Sequence, residues 1–362
     1  MLIKDLKDGV EVFGPYLVAD SKKCVSSAGK PYLTVTLQDC SGTIDGKKWD
    51  YQPEDDKLFE KGCVVQIQGN VLLYASHLQL KIKTAEALDQ KGIDWSIFVP
   101  SAPVDQDILQ KKLDVYLNSF RDPVVGELVK AMLNRYMDHY LQWPAAVRDH
   151  HNFASGLLFH SLTMTDLALK VCEIYPSLNR DIMLAGTLIH DIGKVIELSG
   201  PNGTVYTLEG KLLGHISLGH AELREIAKNL GYFEFASLSS AEQEKERQAN
   251  SDIFHRYEVA VTLEHIILSH HGKMEFGSPV LPVTREALAI SMIDDMDAKM
   301  LILDAAYNGT AKGENTPKVM ALDGRFFYRP FYSSDDARPY GTSVEEEEKD
   351  LAAGEPKQGQ LF

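Results

Sequence analysis

His190 and Asp191 follow an apolar run, Leu184, Ala185, Leu188 and Ile189, within the stretch LAGTLIHDIGKVIE. Such a run predicts a buried helix, with Gly193 as its stop. Ionisable side chains at a buried helix end are costly without a partner. A divalent cation takes a neutral imidazole and a carboxylate directly and is the simplest partner. A hydrogen-bonded core pair would explain a single His-Asp equally well, so ligands on other inward helix faces decide. His160 lies four residues before Met164, on the inward face Met164, Leu167, Val171 and Ile174 of a helix closed by Pro176. His215 opens the helical segment HISLGHAELREIAKNL. His270 continues the stripe Val259, Leu263, Ile266 and Ile267, and His271 follows it before Gly272. Asp294 replaces an apolar residue on the stripe Ala287, Ile290, Ala298 and Leu301, with Asp297 at its border. Asp295, rotated by about 100°, is expected in solvent. His220 and His265 fall off the inward faces.

Together His160, His190, Asp191, His215, His270, His271 and Asp294 offer imidazoles and carboxylates without cysteine. That set suits Mn²⁺, Fe²⁺ or Co²⁺ better than structural zinc. It exceeds the needs of one ion and fits two, about 3.5–4 Å apart and bridged by Asp191, the arrangement that cleaves phosphoesters. Lys194, a turn or less away, is placed to neutralise a phosphate oxygen. A surface lysine after a helix stop is its plainer reading.

The elements that must position these residues change character along the chain. Residues 1–88 alternate in period two, as in Tyr32–Leu37, Cys63–Val71 and Leu78–Lys83, with turn signals at 28–31, 41–42, 45–46 and 61–62. Short strands at that spacing predict a closed all-β barrel, and the OB-fold is the commonest such barrel. Exposed aromatics on it would stack bases while lysines meet phosphates. Phe13, Tyr32, Trp49, Lys30 and Lys48 are the expected contacts, with Tyr74 and Lys47 as further candidates; filling the small core is the alternative for each aromatic. Residues 89–105, with Pro100 and Pro103 and no period, read as a linker. Residues 106–332 keep a helical period and predict an all-α domain, interrupted by a hairpin or flap at 199–210. Residues 333–362 include EEEEKD and predict an acidic disordered tail.

The totals bound the partners. A net charge of −15 argues against broad electrostatic binding to nucleic acid, although residues 1–88, with 11 Lys against 12 Asp and Glu, are near neutral. Four unpaired cysteines, no leader-like N-terminus and no apolar run of membrane-spanning length lead to the expectation of a cytoplasmic protein away from the membrane. Oligomeric state is left open, a homo-oligomer included.

The order H…HD…H…HH…D in a helical domain resembles the HD superfamily of metal-dependent phosphohydrolases. PAAVRDHHNFASGLLFHSL, YPSLNRDIMLAGTLIHDIGKVIELSGP, LEGKLLGHIS, LSHHGKMEFGSP and IDDMDAKM are similar to the YhaM family of 3′→5′ exoribonucleases, in which an OB-fold precedes the HD domain. The resemblance spans roughly residues 10–330. It implies Mn²⁺-dependent removal of nucleotides from the 3′ end of single-stranded RNA, with DNA as a further substrate, releasing nucleoside 5′-monophosphates. His150 and His151 fall in a family-like stretch without an evident physical role. A phosphohydrolase of a small nucleotide or cyclic dinucleotide, and a non-catalytic nucleic-acid-binding protein, remain the competing expectations. The last residues, Gln358-Gly359-Gln360-Leu361-Phe362, place an apolar pair after an acidic stretch and resemble the peptide by which bacterial DNA-processing proteins dock on the replicase sliding clamp. A tail end folded back on its own surface is the alternative.

Overall fold

The computed structural model describes residues 1–74, 77–90, 93–94, 97–99, 102, 104–146, 153–201 and 204–333. The expected tail beyond Ser333, with its Gln358–Phe362 peptide, and the pair His150-His151 lie outside the described residues. The chain divides into two compact units, one built on residues 1–101 and the other on most of the chain from residue 102 onward.

In the first unit, period-two alternation becomes a closed barrel. Its strands are β1 (Glu11–Val25), β2 (Pro31–Asp39), β3 (Gly42–Lys48), β4 (Val64–Tyr74) and β5 (His77–Ala87), in the order β1-β2-β3-β5-β4. Neighbours run antiparallel except β3 and β5, which pair in parallel with Asp45 opposite Gln79. β1 closes the barrel on β4, with Glu11 opposite Asn70 and Leu17 opposite Val64. That strand order is the OB-fold. A register shift between Val18 and Asp20 bends β1, so that one strand serves β4 with its first half and β2 with its second. β2 sends Leu33, Val35 and Leu37 inward, where they meet Val18, Ile67 and Val71; all six are at most 1% exposed. Each such burial stabilises the fold by roughly 1.5–3 kcal/mol. A single turn, α1 (Asp55–Leu58), leads into Phe59, which is packed into this core.

The expected linker is not free along its whole length. Phe98 and Val99 are buried against Leu17 and Val64. Cys40 donates its backbone N–H to the Ile97 carbonyl at 3.0 Å, and the Gln38 side-chain amide donates to the Phe98 carbonyl at 3.2 Å. Ile97, beside Phe98 and Val99, stays 47% exposed, so only two of these three residues enter the core.

The second unit is helical: α2 (Gln106–Asn118), α3 (Pro123–Gln142), α4 (Gly156–Ile174), α5 (Arg180–Ile189), α6 (Lys194–Glu197), α7 (Leu208–Asn229), α8 (Ser240–Gln248), α9 (Asp252–Ser269) and α10 (Arg285–Asn308). α5 is its centre, buried from Asp181 to Ile189 and packed against α3, α4, α9 and α10. It starts where the Asn179 side chain accepts the backbone N–H groups of Asp181 and Ile182. The polar α8 buries none of its residues and begins with a Ser239–Glu242 capping box. No helix among the described residues is long and apolar enough to cross a membrane.

Candidate metal centre and barrel face

The core helix α5 stops at Ile189, and the chain turns through His190, Asp191 and Ile192 into the short α6. Gly193 has ordinary helical angles (φ −61°), so it is not the left-handed stop that its type suggests. Its reason is proximity. A Cβ there would lie 2.0 Å from the His215 carbonyl oxygen and 2.7 Å from the Gly219 nitrogen. Main chain thus rests on main chain, bringing the start of the second half of α7 beside Asp191. α4 supplies His160, the end of α9 supplies His270 and His271, and α10 supplies Asp294.

Asp191, 3% exposed, stands between two sets of imidazoles. Its Oδ2 is 3.4 Å from His190 Nε2, 3.7 Å from His160 Nε2 and 2.6 Å from Lys194 Nζ. Its Oδ1 is 3.4 Å from His215 Nε2 and 3.5 Å from His270 Nε2. Asp294 Oδ1 lies 3.3 Å from His160 Nε2, and the Nε2 atoms of His160 and His190 are 3.2 Å apart. Three groups have ligand atoms within 4.8 Å of one another and could hold a metal ion: Asp191 with His215, His270 and His271; Asp191 with His160 and His190; and His190 with His270 and Asp294.

Each of the five imidazoles is gripped at Nδ1. His190 donates to the Thr187 carbonyl at 3.0 Å, His270 to the Ile267 carbonyl at 2.8 Å and His271 to the Phe276 carbonyl at 2.7 Å. His160 Nδ1 meets Asp297 Oδ2 at 2.7 Å, and His215 Nδ1 meets Glu197 Oε1 at 3.2 Å. These oxygens only accept, so Nδ1 carries the hydrogen and Nε2 faces the pocket. Asp191 Oδ1, His215 Nε2 and His270 Nε2 are buried without a hydrogen-bond partner. Orphaned polar atoms that converge in this way are what a cation satisfies.

Protonation agrees with that use. Asp191 stays well below the usual carboxylate range: burial opposes ionisation, but Lys194 and His190 beside it prevail. Asp294 is lowered as well, burial again being outweighed by its hydrogen bond to His160. Burial lowers His270, and burial with the neighbouring His270 brings His271 down to about 4. Ionised carboxylates and neutral imidazoles are the ligating forms. His160 departs from this pattern and is pushed up to about 10: burial opposes its charge, but hydrogen bonds to Asp294 and Asp297 outweigh it.

The pocket therefore brings together His160, His190, Asp191, His215, His270, His271, Asp294 and Lys194. Asp297, at the border of its stripe, grips His160. Glu197 is a residue that sequence reasoning missed; a four-residue helix has no period to read. Asp295 is paired with Lys299 at 2.6 Å, outside the pocket. His220 lies 3.9 Å from Glu264, and His265 Nε2 accepts the Val283 backbone N–H.

On the barrel, Tyr32 and Trp49 stack with centroids 4.6 Å apart. Lys47 Nζ lies 5.7, 5.4 and 5.7 Å from the ring centroids of Tyr32, Trp49 and Tyr74. Trp49 and Tyr74 are 49% and 68% exposed, and Lys30 is exposed in the β1–β2 turn. This is an aromatic pad around one cation, near the strand-2 and strand-3 face that OB-folds use. Phe13 is 73% exposed but stands on β1, opposite Gln68, and is not part of the pad. Lys48 differs from expectation. It is 8% exposed, donates to the Asp50 carbonyl at 2.8 Å and sits 3.6 Å from Asp55, so it braces the barrel from within.

Residues 157–299 match the HD domain family, a family of metal-dependent phosphohydrolases, and this span contains every pocket ligand. Among solved structures, the second OB-fold domain of replication protein A from Methanococcus maripaludis is similar to part of the chain. Identity is 17%, over 26% of this chain and 98% of that domain, with a TM-score of 0.20.

Proposed function

We propose that the protein is a divalent-metal-dependent 3′→5′ exonuclease of single-stranded RNA or DNA, which releases nucleoside 5′-monophosphates. The observation that carries the chemical part is the division of Asp191: Oδ2 faces His160 and His190, while Oδ1 faces His215 and His270. A carboxylate presented to two imidazole sets is the bridge of a two-ion phosphoesterase. His160, His190, Asp191 and Asp294 would hold one ion, and Asp191, His215, His270 and His271 the other, with Mn²⁺ the best match and Fe²⁺ or Co²⁺ compatible. Bound there, the ions would polarise the scissile phosphate and make a water acidic enough to attack at neutral pH.

The chain's own groups do the rest. The grip on each Nδ1 fixes the ring planes before substrate arrives. Lys194, its ammonium 2.6 Å from Asp191 Oδ2, lies where negative charge develops on the phosphate. The Tyr32, Trp49 and Tyr74 pad, with Lys47 among the rings, stacks bases of the strand and meets its phosphates. The pad favours a strand over a small nucleotide, which needs no stacking platform. The likeness of the motifs to the YhaM exoribonucleases supports the 3′→5′ direction.

The test is a single-stranded oligonucleotide labelled at its 5′ end and incubated with Mn²⁺. A ladder shortening from the 3′ end is expected. A shifted but intact band would leave a binding protein, and cleavage of small nucleotides alone would leave the small-nucleotide phosphohydrolase.

A further inference from the structure

Three of the five pocket imidazoles are gripped by backbone carbonyls, which no substitution removes. The other two depend on side chains, and each belongs to a different set: His160 on Asp297, and His215 on Glu197. The Glu197 arrangement is the more elaborate. Its Oε1 accepts both the His215 ring Nδ1–H at 3.2 Å and the His215 backbone N–H at 3.0 Å. A helix would ordinarily keep that backbone N–H for itself. It is released because Gly214, at φ 71° and ψ 158°, breaks α7 one residue earlier, in the left-handed half of the map that glycine tolerates. Glu197 is itself buried, and its own carbonyl is occupied by the Thr207 N–H at 2.9 Å, so its side chain has a fixed base.

We propose that Glu197 is a positioning residue for one ion only, the one shared by Asp191, His215, His270 and His271, and that the Gly214 break exists to let it hold His215 at two points. This rests on the two-ion reading. A carboxylate behind a ligating imidazole orients the ring and raises its basicity, and its loss typically weakens metal affinity by about 10–100-fold. Without Glu197, His215 keeps its place on α7 but loses ring orientation, and the set containing His160 and His190 is untouched. Asp297 is the counterpart on that other set.

The experiment uses the full chain, stripped of metal and titrated with MnCl₂ by calorimetry, with electron paramagnetic resonance of the loaded protein. The wild type should take two ions and show a spin-coupled spectrum. Glu197→Ala should keep one ion at wild-type affinity, weaken the second by roughly 10–100-fold and show an isolated six-line Mn²⁺ signal. Gly214→Ala should behave the same way. Glu197→Gln, which still accepts the two N–H groups, should recover part of the second affinity. Asp297→Ala should weaken the other ion instead. Two undisturbed ions in Glu197→Ala, or equal loss of both together with a lowered metal-free melting temperature, would overturn the assignment. A wild-type chain that binds a single ion would refute the two-ion reading itself, and with it the assignment of Glu197 to a second ion.

Discussion

The barrel pad and the helical pocket both gather aromatic or imidazole rings around charge, but under opposite conditions. In the pocket, His190 and His270 are fully buried, Asp191 nearly so, and every imidazole is gripped from behind. On the pad, Trp49 and Tyr74 are half or more in water, and one lysine is shared among three rings. Burial multiplies the effect of each polar atom, because an unpaired one is not rescued by solvent. Exposure spreads the effect, because each ring adds a modest, replaceable contact. The pocket should therefore lose most at its one shared carboxylate, Asp191, and the pad should fail by increments.

Asp191→Ala is the severest test of that contrast. Loss of the shared carboxylate should cut turnover by several orders of magnitude and lower metal content, while strand binding persists. Unchanged turnover at full metal occupancy would end the bridging role. Lys194→Ala should come next, with kcat down by about 10²–10³-fold and KM little changed; a rise in KM alone would make Lys194 a binding group.

Trp49→Ala should weaken binding of a long strand by about 1–3 kcal/mol and leave both metal content and hydrolysis of a dinucleotide unchanged. An equal loss on dinucleotides would mean that the pad is not a strand platform. The smallest effects separate two adjacent lysines. Lys47→Ala should reduce the salt dependence of strand binding by about one counterion at constant stability. Lys48→Ala should cost about 1–3 kcal/mol of stability, read by urea unfolding, with the salt dependence kept. A reversal between the two would show that the outward and inward faces of β3 have been mistaken.

The sequence made the pocket legible because helical phase maps directly onto burial. His160, His270 and Asp294 each sit in register with apolar residues, and that register survives around the pocket, although Ile174 at the far end of the α4 stripe is 70% exposed. Glu197 carries no such signal: α6 is one turn long, and its place beside His215 depends on the contact between Gly193 and α7. On the barrel, alternation and turn signals pointed to short strands closing a barrel, while the order β1-β2-β3-β5-β4 is set by pairings that no local pattern encodes. Lys48 was misplaced: expected at nucleic acid, it stands in phase with the inward Ile44 and Gly46 of β3, whereas Lys47 is out of that phase. Its charge suggested solvent, but Asp55 and the Asp50 carbonyl provide for it inside. Phe98 and Val99 escaped because two buried residues in a stretch without period leave no pattern, and only their contact with Leu17 and Val64 marks them as core.

The contact at Gly193 has a mechanical consequence. Most gaps between helices are set by interdigitated side chains, whose rotamers let the gap widen or narrow when a core residue changes. Between the turn after α5 and the kinked part of α7 there is no such cushion, since main-chain atoms bear directly on main-chain atoms. The spacing there is fixed by atomic radii and does not adjust to repacking. A conservative change such as Leu188→Met should therefore shift the melting temperature while the distance across the pocket stays constant. A single methyl group at residue 193 should act like a wedge, forcing the two walls apart with little loss of apolar burial.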